Sequence, residues 1–94
     1  MMIEKIGEAA MLELFAEECT EAAQAALKLA RIIRGENPTP VTRDFAEANL
    51  IEEYTDIRIC AKELDLHKDA VAAKAKQERF ERRWGEMEKL KDKK

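Results

Sequence analysis

From Met11 an apolar row advances by alternating steps of three and four residues, and acid sits in its middle: Met11, Leu14, Glu18, Glu21, Ala25, Lys28, Ile32. A row of this period is the face that a helix turns toward a partner helix. Carboxylates on a packing face are unfavourable unless something positive is shared between them. The same peculiarity returns in LIEEYTDI, residues 50–57, where Glu53 and Asp56 lie three apart among Leu50, Ile57 and Cys60. An i, i+3 pair places two carboxylates about one turn apart on one face. Two such pairs on antiparallel helices can converge on a volume for a hard, oxygen-liganded cation. Mg²⁺ fits best, with Mn²⁺ second, since it keeps several waters and is commonly completed by substrate phosphates. A di-iron bundle site needs Glu-x-x-His pairs, and the one histidine, His67, has Leu64 three residues before it.

The rest of the chain predicts one all-α domain over residues 1–94. Three helices are expected, at about 3–34, 42–64 and 67–90. A connection over 35–41 contains Pro38 and Pro40, which push the residues before them out of the helical region. Gly35 is a natural C-cap for the first helix. Thr39 and Asp44 bracket the start of the second, and Asp65 can take a left-handed conformation at its end. The third helix carries an apolar face of Ala73, Phe80, Trp84 and Met87, bordered by Lys76 and Arg83, with Arg79 slightly further round. A first helix of this length spans roughly 45 Å, more than two shorter helices cover. A homo-oligomer, dimer or tetramer, with neighbouring subunits completing four-helix bundles, is therefore expected.

Charge is unevenly distributed. Residues 1–67 hold 7 Lys and Arg against 14 Asp and Glu, and residues 68–94 hold 10 against 6. An acidic body with a basic last helix suits a cation held by acids and a phosphate held by bases. Binding to a nucleic acid polymer is not expected, because the chain is net acidic and its basic helix is interspersed with acids. Cys19 and Cys60 fit neither a disulfide framework nor a zinc site and read as inward free thiols in a reducing cytoplasm. The opening MMIEKIGEAAMLELF is too broken by charge for a membrane span or a signal segment.

The spacing Glu17-Glu18-x-x-Glu21 followed by Glu53-x-x-Asp56 resembles the EExxE…ExxD signature of the MazG-like nucleotide pyrophosphohydrolases, in the all-α NTP pyrophosphatase superfamily. EECTEAAQAALKLAR is similar to the family's first motif helix and NLIEEYTDIRI to its second. The likeness covers roughly residues 10–64 and extends only loosely into the third helix. The interval from Glu21 to Glu53 is longer than the family's, a difference that the proline loop accounts for. The resemblance implies hydrolysis of a nucleoside triphosphate between the α and β phosphates, giving a monophosphate and pyrophosphate. It maps metal ligands onto Glu18, Glu21, Glu53 and Asp56. Glu17 completes the motif, with three roles open to it: orienting the attacking water, taking its proton, or binding a second ion. Cations that clamp phosphate are then expected at Lys76, Arg79 and Arg83, with Lys28 next. Other readings of the same chain are a non-catalytic helical interaction protein, or the same fold acting on phosphoribosyl-ATP or dUTP.

Overall fold

The computed structural model describes residues 1–36 and 40–92, all of whose regular structure is helical. Four helices are present: α1 over Met2–Ile6, α2 over Glu8–Arg34, α3 over Arg43–Glu63 and α4 over Ala70–Asp92. The expected count of three is corrected by Gly7, which splits the first helix. Its φ of 92° lies in a region that L side chains rarely adopt. Gly7 ends α1 by donating its amide to the Ile3 carbonyl at 2.9 Å, and its own carbonyl receives the Met11 amide at 3.1 Å. Beyond the break, α1 reaches the end of α3, where Met1 lies by Ile59, Lys62 and Glu63. The Met2 amide then donates to Glu63 Oε1, at the far end of α3, at 2.6 Å.

Two helix ends share one device. Gly35, at φ 71°, stops α2 while its amide and that of Glu36 reach back to the carbonyls of Ile32 and Arg31. This is a Schellman motif with its usual glycine. The end of α3 repeats it with an aspartate: Asp65 stands at φ 55°, its amide bonds the Lys62 carbonyl, and Leu66 bonds Ala61. Helix starts are equally explicit. Thr42 Oγ1 accepts the Phe45 amide at 3.2 Å and caps α3, so Asp44 falls inside the first turn. Thr39, Pro38 and Asn37 lie outside the described residues. Asp69 Oδ1 accepts the Ala72 amide at 2.9 Å, which sets the start of α4 at Ala70 rather than near 67.

The core is the seam between α2 and α3. Its buried residues are Met11, Ala22 and Ala25 on α2 and Ala46, Cys60 and Ala61 on α3. Four of the six are alanine, so the two backbones approach closely and little apolar area is covered per residue. Among the described residues, Met11 is the one large side chain with no exposure. Leu50, Ile57 and Leu64, on the inward stripe expected for the second helix, are half-buried beside them.

α4 takes no share in this core. Phe80, Trp84 and Met87, read from the sequence as a packing face, are all exposed, Trp84 at 58%. The molecule is accordingly extended, 55 × 41 × 18 Å, with a radius of gyration of 17.6 Å. A compact chain of this length has one near 12 Å. Among the described residues no helix is long and apolar enough to cross a membrane.

Candidate metal centre

Each helix delivers its acids by simple periodicity. Glu18 and Glu21 lie about one turn apart on α2, as do Glu53 and Asp56 on α3. The seam joins them in antiparallel register. Glu18 meets Asp56 side chain to side chain, and Glu21 meets Glu53. Rising numbers on one helix thus pair with falling numbers on the other. Carboxylate oxygens of Glu18, Glu53 and Asp56 come within 4.8 Å of one another, and all three residues are half-buried. Glu21 is exposed and stands beside Glu53 at the rim of this group.

The carboxyls of the cluster oppose one another's ionisation. Burial raises the Glu18 carboxyl above the usual glutamate range, and the charges of Glu21, Asp56 and Glu17 push it in the same direction. Burial likewise raises Glu53, followed by its contact with Glu21 and then by Asp56 and Glu18. Each facing pair is close enough for one carboxyl to donate to the other when a proton is present. When all are ionised there is no donor, and Glu18 Oε2 and Glu53 Oε2 are buried without a hydrogen-bond partner. A cation or a proton relieves buried carboxylate oxygens that lack a donor. The donor set is all carboxylate oxygen, which suits a hard divalent ion.

The thiol of Cys60 borders the group. It is raised by burial first, then by Glu18, Asp56, Cys19 and Glu63. Both cysteines are free. A protonated Cys60 packs as a small apolar wall and offers the cluster no thiolate.

The remaining expected residues are placed as follows. Glu17 is exposed on the flank of α2 next to Glu18. Lys28 is half-buried on the same helix, about 10 Å of helix rise beyond Glu21. Lys76, Arg79 and Arg83 are exposed on α4, and within one chain α4 does not pack on the acid-bearing helices. The single chain thus brings the acids together and leaves these three cations apart from them.

One acid escaped the sequence reading. Glu63 sits two turns beyond Asp56 on the same side of α3, and its Oε2 is buried without a partner while its Oε1 accepts from Met2. The signal was its place on the stripe Glu53, Asp56, Cys60, Glu63, which a search confined to motif spacing passes over. Comparison with family models, with curated proteins and with solved structures finds no match for this chain.

Proposed function

We infer that the chain is a Mg²⁺-dependent nucleotide pyrophosphohydrolase that converts a nucleoside triphosphate to a monophosphate and pyrophosphate. One observation carries this reading: two antiparallel acid pairs share a seam, with Glu18 Oε2 and Glu53 Oε2 buried and unpartnered. A structural seam made only for packing has no use for such oxygens, since apolar residues of like volume serve it better. The resemblance of residues 17–21 and 53–56 to a nucleotide-hydrolase signature supplies the reaction class.

In this reading Glu18, Glu53 and Asp56 hold the ion and Glu21 closes the rim. Bound there, Mg²⁺ supplies positive charge to the triphosphate as charge develops in the transition state. Water adds to the α phosphorus, the bond from that phosphorus to the bridging oxygen breaks, and pyrophosphate leaves. Glu17, exposed beside the group, keeps the three roles open to it in this reading: orienting that water, taking its proton, or binding a second ion. The two free cysteines agree with a reducing compartment such as the cytoplasm. The extended shape and uncovered α4 support a homo-oligomer.

The uncovered stripe of α4 also favours a second reading, a non-catalytic helical interaction protein. A panel of canonical and modified NTPs and dNTPs, with dUTP and phosphoribosyl-ATP included, separates the two. Pyrophosphate released in the presence of Mg²⁺ or Mn²⁺, and lost in Glu53→Gln, supports the enzyme. No release from any substrate with either ion sinks it.

A further inference from the structure

We propose that α4 works in trans: it packs on the α2–α3 pair of a second copy and brings Lys76, Arg79 and Arg83 to that copy's acids. The proposal rests on the hydrolase reading for the use of the cations, but not for the packing.

Surface area is the first reason. The chain exposes 8052 Å², whereas a compact monomer of this mass exposes about 5,500 Å². The excess of roughly 2,500 Å² per copy is, for two copies, the size of an obligate homodimer interface, about 2,000–5,000 Å². Charge is the second. The acidic balance of residues 1–67 and the basic balance of 68–94 are complementary, so a second copy offers each part the opposite sign. Geometry is the third. At about 100° per residue, Phe80, Trp84 and Met87 form one stripe, with Lys76 and Arg83 along one edge and Arg79 just beyond. A helix that docks by this stripe carries those three side chains to the rim of whatever it covers. On α2 the exposed Glu17 and Glu21 flank the cluster on one side, and a basic helix laid there neutralises them. The corner at Leu64–Asp69, set by the left-handed Asp65, sends α4 away from its own seam.

The test is an isotope-mixed cross-link. The full chain carries Glu21→Cys and Arg83→Cys in a Cys19→Ser, Cys60→Ala background. Natural and ¹⁵N-labelled chains are unfolded together, refolded and treated with a short bismaleimide. Linked 21–83 peptides in which about half pair one label with the other support packing in trans. Same-label pairs alone mean that α4 folds back on its own chain, and this overturns the proposal, as does the absence of any 21–83 link. The unmodified chain gives an independent readout, because Trp84 is its only tryptophan. Its emission is expected to shift to the red on dilution, and exposed emission at every concentration overturns the proposal. Neither measurement needs activity, so a chain that packs in trans but hydrolyses nothing refutes only the hydrolase reading. If the chain is active, Glu53→Gln mixed with a Lys76→Ala/Arg79→Ala/Arg83→Ala chain recovers about a quarter of wild-type turnover. Either chain alone has none, and a mixture as inert as its parts overturns the shared site.

Discussion

Glu18 on α2 and Asp56 on α3 face each other across the seam, and one turn away Glu21 faces Glu53 in the same register. This ladder of like charges is held in place by the packing of Met11, Ala22, Ala25 and Cys60 around it. Its repulsion is built into the fold.

Relieving that repulsion separates stability from activity. Glu53→Gln removes a charge and puts an amide donor against Glu21, so the metal-free protein melts at the same temperature or higher. Pyrophosphate release falls by more than the roughly 10–100-fold seen when a mere supporting residue of a metal site is lost. Thermal denaturation in EDTA beside a pyrophosphate assay checks both halves. A variant with full Mg²⁺-dependent turnover removes Glu53 from the site.

The pH dependence of the metal-free fold carries a definite sign. Glu18 and Glu53 are raised above the usual glutamate value in the folded chain. The folded state therefore binds protons more tightly than the unfolded state. Their contribution is fully present below the unfolded value and is lost as pH rises through the folded one. Denaturant midpoints in EDTA should fall as pH rises from the ordinary glutamate value toward neutrality. Glu18→Gln/Glu53→Gln should flatten the slope, and an unchanged slope in that double variant contradicts the assignment.

Saturating Mg²⁺ or Mn²⁺ should act against the same repulsion. The unfolding free energy at neutral pH is expected to rise by RT ln(1 + [L]/Kd), about 2.7 kcal/mol at a hundredfold excess over Kd. The gain shrinks as pH falls and protons compete for the same oxygens. Titration of the melting temperature with either ion measures it, and indifference to both ions at neutral pH counts against the centre.

The two Schellman corners predict opposite responses. Gly35→Ala places a Cβ at φ 71° and should cost about 1 kcal/mol. Asp65→Gly removes a side chain from φ 55° and should stabilise by up to about 1 kcal/mol. Urea denaturation of both variants measures the difference. A destabilised Asp65→Gly would show that the aspartate has a second role at the corner.

The acids were legible because helical periodicity alone puts Glu18 and Glu21 on one row and Glu53 and Asp56 on another, and the antiparallel seam then aligns the rows; Glu18, Glu53 and Asp56 are half-buried there, while Glu21, also expected inward, is exposed at the rim. The end of α2 was legible for a similar reason: Gly35 needs no tertiary partner to stop a helix. Gly7 was not read as a break. A glycine inside a helix costs only about 1 kcal/mol, and the contact that accompanies the break, Met2 to Glu63, joins residues far apart in sequence. For α4 the sequence showed an apolar face but could not say what lies against it. Periodicity finds faces; it does not find their partners.

A seam of alanines behaves like the fixed jaw of a gauge. Ala22, Ala25, Ala46 and Ala61 have no rotamers to adjust, so the width between the acid pairs is set by the separation of two main chains. Across that width the carboxylates of Glu18, Glu53 and Asp56 adjust by their own rotamers. Valine at Ala22 or Ala25 is expected to push the two helices apart and glycine to let them approach, and titrating each variant with Mg²⁺ and with a larger divalent ion measures whether residues that bear no charge set what the acids accept.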